Sequence, residues 1–294
     1  MDEIFGIVPP MVTPFTQEGG IDLNAIKADV SYLVGEAKVH GLAVCGSTGE
    51  GHTLTTEETR EISAATMEAV DGRVPVITGI ITDSTQGSVE RGKAVADLGV
   101  AALQVTPVHY LFRPTDDAMV THFRTLTEET GLPVMIYNVV PWTYLSPQLL
   151  DRILTEVDGV VGVKQSAGDM KLLADLLVSS EQKGRIMTAV DALLYPSFAL
   201  GAHGAIAAVL TAAPTLCVDV WDAVARGDHA TAKAVHEKLL GIWNAINHDN
   251  LPANVKSAMK LQGRDGGLPR APMPVSSPEQ EEQIRQSLSA AGIV

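Results

Sequence analysis

Short apolar runs alternate with longer amphipathic runs along most of this 294-residue chain, and this alternation restricts the fold more than any other feature. The apolar runs are rich in β-branched residues, which is typical of strands buried in a parallel sheet. Several amphipathic runs begin with helix-capping signals, such as Thr55 followed by Glu58, and several end at glycine, such as Gly131. The pattern therefore predicts repeated βα units.

Eight strands and seven intervening helices are predicted before the pattern changes. The predicted strands are 6–12, 41–46, 74–80, 101–106, 133–138, 160–166, 185–191 and 205–209. The predicted helices are 22–37, 55–70, 85–98, 115–130, 146–156, 169–179 and 192–200. The chain lacks the glycine-rich first turn of an open dinucleotide-binding sheet. We therefore expect an α/β fold in which the strands close into a (β/α)8 TIM barrel over residues 1–212.

Only helical runs follow the eighth strand. They cover 214–225, 230–247, 252–261 and 278–291, with a glycine- and proline-rich linker before the last of them. These runs predict a C-terminal helical module over residues 213–294, packed on the barrel.

Composition excludes several classes of protein. The 21 lysines and arginines against 35 aspartates and glutamates give a formal net charge of −14, and the basic residues form no cluster, so no nucleic-acid partner is expected. No apolar run reaches the ~18 residues of a membrane span, and the first residues lack the features of a signal peptide. We expect a cytoplasmic protein without a membrane partner. The two cysteines and the scattered histidines show no metal-ligand spacing, so no metal site is expected.

Lys164 lies at the end of the sixth predicted strand, after an apolar segment bounded by glycines. Burial of its side chain among valines disfavours the charged ammonium and exposes a neutral, nucleophilic amine, as formation of a Schiff base requires. A lysine at a strand end can instead extend its charge into water. Because the carboxyl ends of barrel strands carry the chemistry of TIM-barrel enzymes, we interpret Lys164 as a catalytic candidate.

Two further segments end strands on the same predicted rim. The segment 46–50 (GSTGE) has glycines that let a ligand approach the backbone, and its N–H groups and hydroxyls suit a carboxylate, although a capping turn has a similar composition. Tyr137 ends the fifth strand, where its phenol is either a proton-transfer group or a filler of the barrel layer.

Together these motifs resemble the dihydrodipicolinate synthase / N-acetylneuraminate lyase family. The resemblance rests on GSTGE at 46–50, Tyr137-Asn138, GVK at 162–164 and GAHGAI at 201–206, and it extends over roughly the whole chain. It implies a (β/α)8 barrel, class I aldolase chemistry on pyruvate or a related 2-oxo acid, no cofactor, and a homotetramer built as a dimer of dimers.

The resemblance also assigns roles to residues of this chain. Lys164 is implied to form the Schiff base and Tyr137 to transfer protons, with Ser47 in the proton relay. Thr48 and the neighbouring N–H groups are implied to hold the pyruvate carboxylate. Gly46, Gly49 and Ile206 are further expected substrate-binding positions. In the family a tyrosine from a neighbouring subunit often completes the relay, and the candidates here are Tyr110 and, in its place, His109; packing in a dimer contact is the alternative for Tyr110.

Two departures from the family's motifs concern the second substrate, which is expected to be an aldehyde. The synthases of lysine biosynthesis place an arginine shortly after the Tyr-Asn pair, whereas the segment 139–144 of this chain (VVPWTY) has no arginine, and the indole of Trp142 cannot form a bidentate pair with a carboxylate. Where sialic acid lyases have an Asp-Glu pair, only Asp191 is kept, and it either binds hydroxyls or caps a helix. We therefore expect neither aspartate semialdehyde nor N-acetylmannosamine as the second substrate. We expect instead a pocket for an apolar partner, formed by Val139, Val140, Trp142, Leu193 and Leu194.

Two alternatives remain open at this point. The same lysine imine would serve a dehydratase or deaminase acting on a hydroxylated 2-oxo acid or a cyclic imine. A barrel retained as a 2-oxo acid binding or regulatory protein is the non-enzymatic alternative, and the joint presence of Lys164, Tyr137 and Ser47 argues against it.

Overall fold

A computed structural model describes residues 4–180 and 183–294. Each predicted strand is present, in a shorter form than predicted. The strands are β1 Gly6–Ile7, β2 Leu42–Val44, β3 Val76–Ile80, β4 Ala102–Val105, β5 Val134–Asn138, β6 Val160–Gln165, β7 Arg185–Thr188 and β8 Gly204–Ala205. All of their pairings are parallel, and the sheet order is β1-β8-β7-β6-β5-β4-β3-β2.

The sheet closes through the residues that follow β1. Pro10 forms a parallel bridge with Ala43 of β2, and the Met11 N–H donates to the Ala43 carbonyl over 2.8 Å. Because the two end strands of the sheet are joined in this way, the predicted (β/α)8 barrel is confirmed. Its interior is filled by apolar side chains from successive strands, including Ala43, Ile77 and Met135.

Twelve α-helices surround and extend this sheet in the described ranges. They are α1 Leu23–Gly35, α2 Thr56–Val70, α3 Thr85–Lys93, α4 Asp116–Thr130, α5 Pro147–Glu156, α6 Met170–Ser179, α7 Leu194–Ala199, α8 Val209–Ala212, α9 Pro214–Ala225, α10 His229–Ile246, α11 Leu251–Leu261 and α12 Pro278–Ala291. None of them is long and apolar enough to cross a membrane.

The helix starts follow from the sequence. Thr55 and Glu58 form a reciprocal capping box at α2, and Ser146 caps α5 with Pro147 in the first helical position. Asp169 likewise caps α6 and Ser277 caps α12. The predicted helices start within one or two residues of their predicted starts. The predicted helix 85–98 is shorter than expected, because α3 ends at Lys93 and a separate 3-10 turn covers Ala96–Leu98.

The eighth strand departs from the prediction. It ends at Ala205, and Val209, predicted as its last residue, instead begins α8. The Val209 N–H donates to the Asp191 carboxylate over 2.6 Å, so a residue distant in sequence caps this short helix. The prediction was wrong because the apolar run 205–209 is too short to distinguish a strand from a buried helix start.

Helices α9 to α12 share one hydrophobic core with β1, β2, α1 and α2. Buried side chains of the C-terminal helices, such as Val220, Leu239, Val255 and Ile284, belong to the same apolar cluster as Ile7 of β1. The C-terminal helices are therefore packed against one side of the barrel.

Candidate active site

Lys164 and Tyr137 lie side by side at the ends of β6 and β5. They are direct partners in the parallel ladder between the two strands, so their side chains project to the same side of the sheet. The Lys164 Nζ lies 3.8 Å from the centre of the Tyr137 ring, and both side chains are buried. The register of two neighbouring strands thus brings the predicted nucleophile and the predicted proton carrier together.

Tyr137 is connected in turn to the loop that follows β2. Its hydroxyl donates a hydrogen bond of 3.0 Å to the Ser47 Oγ. Ser47 is exposed, whereas Tyr137 is almost fully buried. The phenol proton therefore has a hydrogen-bonded path to Ser47 at the mouth of the site.

The loop 46–51 is a tight turn between β2 and α2. Cys45, just before the loop, and Glu50, near its end, have φ angles of 57° and 55°, in the left-handed region that non-glycine residues rarely adopt. Each such residue costs about 1–3 kcal/mol and persists only where its surroundings hold it. Gly49 passes close to the Met11 carbonyl, 2.8 Å from where a Cβ would stand, so a larger residue would push the loop away.

Backbone N–H groups of this loop are available to a ligand. In the part of the chain that the structure describes, the N–H groups of Ser47 and Thr48 have no hydrogen-bond acceptor. Both residues line the cavity above Lys164. Successive free N–H groups of this kind suit a carboxylate.

Asp191 lies at the end of β7 and faces the same cavity. Burial raises the pKa of its carboxyl group to about 6, against the opposing effects of the Val209 N–H and the Lys164 charge. Of the two readings of Asp191, the helix cap is observed directly in its bond to Val209. One carboxylate oxygen is taken by that cap, and the residue nevertheless forms part of the cavity wall.

A cavity of about 200 Å³ unites most of the predicted site residues. Six of them line it: Ser47, Thr48, Tyr137, Lys164, Asp191 and Ile206. This volume accommodates a small molecule. Gly46 and Gly49 shape the loop beside it.

Other residues of this cavity were not identified from the sequence. Val139 was expected there, but Ser166, Ala189, Leu251 and Pro252 were not. The Ser166 Oγ is buried without a hydrogen-bond partner among the described residues, so it is available to a substrate. Its place two residues after Lys164 was a usable signal, whereas nothing local in the sequence marked Leu251 and Pro252, which come from α11.

Trp142 lies outside this cavity wall. Its indole is 71% exposed and donates through Nε1 to the His109 carbonyl over 2.9 Å. Leu194 is fully buried in the core formed with the C-terminal helices. Of the five residues expected to form an apolar pocket, Val139 lines this cavity and the other four do not. Leu251 and Pro252 of α11 contribute further apolar surface to its wall.

The loop between β4 and α4 exposes large apolar side chains. Tyr110, Leu111 and Phe112 are 64%, 84% and 69% exposed, which is unusual for three consecutive residues of this type. His109 is partly buried, and its Nε2 lies 3.5 Å from the Asp83 carboxylate. Neither Tyr110 nor His109 belongs to the cavity wall described above.

A larger cavity, of about 780 Å³, lies away from Lys164, between the β2–α2 loop and the C-terminal module. It contains no lysine or cysteine nucleophile and is lined by residues such as His52, Asn250 and Arg270. Size alone therefore does not identify a candidate site, because the residues predicted from the sequence line the smaller cavity. Among the described residues, no group of three or more His, Cys, Asp or Glu is placed to hold a metal ion.

The chain is similar to known proteins over nearly its whole length. The model of the dihydrodipicolinate synthetase family matches residues 3–291. The 4-hydroxy-tetrahydrodipicolinate synthase of Ralstonia nicotianae is 32% identical, with full coverage of both chains, and that of Methanopyrus kandleri is 31% identical over 99% of this chain and 98% of the relative.

A solved structure is also similar. The dihydrodipicolinate synthase from Acinetobacter baumannii, complexed with pyruvate, superimposes with a TM-score of 0.93 at 27% identity, covering 99% of this chain and all of the other. The family match spans nearly the whole chain, and the relatives align from end to end. The chain therefore belongs to the dihydrodipicolinate synthetase family and is a lyase-type enzyme of that family.

Proposed function

We propose that this protein joins or cleaves pyruvate, or a related 2-oxo acid, and an aldehyde through an imine on Lys164. The observation that carries the proposal is the contact of the Lys164 Nζ with the Tyr137 ring, whose hydroxyl reaches Ser47, within one small cavity. The pyruvate bound to the similar enzyme from Acinetobacter baumannii supports pyruvate as the first substrate here.

The reaction begins with attack of the neutral Lys164 amine on the ketone carbon of pyruvate. Protons pass between the amine, the new hydroxyl and Tyr137 while water leaves, and the product is an iminium. The iminium draws electrons from the neighbouring methyl group, whose loss of a proton gives an enamine. The enamine carbon then attacks the aldehyde carbonyl, which re-forms the iminium, and the former aldehyde oxygen takes a proton from Tyr137 or a group connected to it. Water hydrolyses the iminium, which releases the product and the Lys164 amine.

The carboxylate of pyruvate is assigned to the β2–α2 loop. Thr48 and the free N–H groups of the loop face the cavity and offer hydrogen bonds directed at an anion. Holding the carboxylate there places the ketone next to Lys164, so binding and orientation come from the same loop.

The cavity wall favours an uncharged aldehyde. Besides Lys164, its charged member is Asp191, and Val139, Leu251 and Pro252 add apolar surface. A second carboxylate would meet Asp191 and apolar side chains without a cation to pair with, which is unfavourable. Aspartate semialdehyde is therefore a poor partner in this proposal, and a small neutral aldehyde is preferred.

The exposed loop at Tyr110, Leu111 and Phe112 supports a homo-oligomer. Covering these side chains with a second copy of the chain would remove a large apolar surface from water and bring Tyr110 towards a neighbouring site. We propose the homotetramer that the family resemblance implies.

Borohydride trapping with pyruvate tests the imine. The reduced adduct is expected on Lys164 alone, located by intact mass and peptide mapping. Lys164→Ala should abolish it, and the control variant Lys171→Ala, which removes an exposed lysine of α6, should label as the unchanged protein does. An adduct that maps to another lysine would exclude the proposed mechanism.

An aldol cleavage releases pyruvate, whereas a dehydration or deamination on the same imine does not. Pyruvate release from a panel of 4-hydroxy-2-oxo acids therefore separates the aldolase from the dehydratase. Adduct formation without pyruvate release from any member of the panel would favour the dehydratase or deaminase.

A further inference from the structure

Glu50, the last residue of the GSTGE motif, is bound by the C-terminal module. Its side chain is completely buried, and its carboxylate accepts hydrogen bonds from the Lys256 Nζ over 2.7 Å and from the Arg270 backbone N–H over 2.8 Å. Lys256 is itself 3% exposed. This is therefore a buried ion pair between the β2–α2 loop and helix α11.

The backbone of Glu50 shapes the carboxylate-binding loop. Its N–H donates to the Ser47 carbonyl over 3.0 Å, and its own carbonyl accepts from the Thr53 N–H and hydroxyl. Its φ of 55° is one of the two left-handed angles that close the loop. A side chain held by Lys256 and Arg270 keeps Glu50 in this conformation, and so keeps the N–H groups of Ser47 and Thr48 aimed at the cavity.

Lys256 is in turn held firmly. Its Nζ also donates to the Leu268 carbonyl over 2.6 Å and lies 4.9 Å from the centre of the Phe15 ring. Burial lowers the pKa of Lys256, with Arg270 adding to the effect, while Glu50 opposes both. The ammonium is thus surrounded by acceptors that fix its position.

Helix α11 connects this pair to the cavity. Leu251 and Pro252, at its first turn, line the cavity above Lys164, and Lys256 follows about one turn later. A single helix therefore supplies part of the substrate-facing wall and also the partner of Glu50.

We infer that the Glu50–Lys256 pair positions the loop 46–50 for binding the substrate carboxylate. The desolvation of two buried charges offsets most of their attraction, so such a pair adds little net stability to the fold. What the pair contributes instead is a fixed geometry of the loop. Glu50 and Lys256 are positioning residues, because neither side chain lines the cavity at Lys164. They act on it through the loop 46–50 and helix α11. The inference rests on the proposed imine chemistry.

The test compares two carbonyl compounds in borohydride trapping. Pyruvate uses the loop through its carboxylate, whereas acetone has no carboxylate and needs only the Lys164 amine. In the double variant Glu50→Gln/Lys256→Met, the pyruvate concentration that half-saturates labelling should rise on the order of 10- to 100-fold, as expected for displaced binding groups. Labelling by acetone should stay as in the unchanged protein.

A matched control replaces a second buried ion pair. Arg264, in the C-terminal segment, binds Asp29 of α1 with both side chains 6% exposed, away from the β2–α2 loop. Asp29→Asn/Arg264→Met should keep the half-saturating pyruvate concentration. If the Glu50/Lys256 double variant does not fold, Glu50→Asp, which keeps both charges and shortens one side chain, should raise that concentration in the same direction.

Each outcome is decisive. An unchanged half-saturation for pyruvate, or equal losses for pyruvate and acetone, would show that the pair is only structural and overturn the inference. If the unchanged protein forms no pyruvate adduct on Lys164, the proposed function itself fails and the inference falls with it. A rise for pyruvate alone, absent from the Asp29/Arg264 control, supports the positioning role.

Discussion

At the scale of single residues, the register of two strands brings the proposed reacting groups together. Tyr137 and Lys164 are paired in the ladder, so a one-residue slip of β6 against β5 would separate them and reverse the side chains of the strand. The hydroxyl of Tyr137 adds the connection to Ser47. The proposed chemistry therefore depends on a backbone pairing as much as on the two side chains.

Tyr137→Phe removes this hydroxyl and keeps the ring that packs against Lys164. We expect turnover to fall by ~100- to 10,000-fold, the usual contribution of a positioned acid or base, while the protein stays folded. Steady-state kinetics on the substrate found by the pyruvate-release panel measures the rate, and circular dichroism checks the fold. Loss of stability with a normal rate per folded molecule would instead make Tyr137 a packing residue.

Asp191 gives a pH dependence of stability. The pKa of Asp191 is about 6 in the folded protein, against the usual 3.8. Between pH 3.8 and pH 6 the folded state therefore keeps a proton on Asp191 that the unfolded state has released. The contribution of Asp191 to stability is thus present below pH 3.8 and is lost as the pH rises through 6.

Asp191→Asn should therefore gain stability relative to the unchanged protein between pH 4 and pH 7, by up to roughly 3 kcal/mol for a shift of about two pKa units. Urea unfolding at both pH values and one protein concentration measures the difference. A stability difference that is constant with pH would show that Asp191 does not titrate in this range.

At the scale of elements, the helices are placed by local caps whose chemistry is readable from the sequence. The Thr55 hydroxyl oxygen accepts from the Glu58 N–H at the start of α2, and the Thr55 N–H donates in return to the Glu58 carboxylate. Glu58 also forms two hydrogen bonds to the Arg270 guanidinium, which lowers the pKa of its carboxyl group, with burial opposing the effect. The start of α2 is therefore both a local cap and a long-range contact.

Thr55→Ala removes the local part alone. We expect a loss of about 1 kcal/mol in the free energy of unfolding, as for other helix caps, with little change in pyruvate labelling. Ser277→Ala, at the capping box of α12, is the matched control and should cost a similar amount. A loss several times larger for Thr55 than for Ser277 would mean that the cap also supports the Glu58–Arg270 contact.

At the scale of the whole molecule, the C-terminal module is joined to the barrel by a shared apolar core and by buried ion pairs. Arg264 binds Asp29 and the Thr211 carbonyl, and Lys256 binds Glu50. Burial raises the pKa of Asp29, with Arg264 opposing the effect. Removing one member of such a pair leaves a charge without its partner in the interior.

Arg264→Met should therefore lower the free energy of unfolding by about 3–5 kcal/mol near pH 7. The loss should shrink as the pH falls, because the unpaired Asp29 then takes up a proton. Asp29→Asn/Arg264→Met should recover part of it. Denaturant unfolding of both variants at pH 5 and pH 7 measures this, and a double variant no more stable than Arg264→Met would refute the unpaired-charge explanation.

The sequence alone determined the local features of this protein. Strand and helix periodicity, the caps at Thr55 and Ser146, and the motifs around Ser47, Tyr137 and Lys164 all depend on neighbouring residues, so they could be predicted. The tertiary structure decided what depends on distant residues. Leu251 reaches the cavity only because α11 packs beside it, Glu50 and Lys256 pair only in the folded chain, and Asp191 caps α8 only because β7 and β8 are neighbours. No local pattern encodes these contacts, because the groups involved meet only when the sheet closes and the C-terminal helices pack against it.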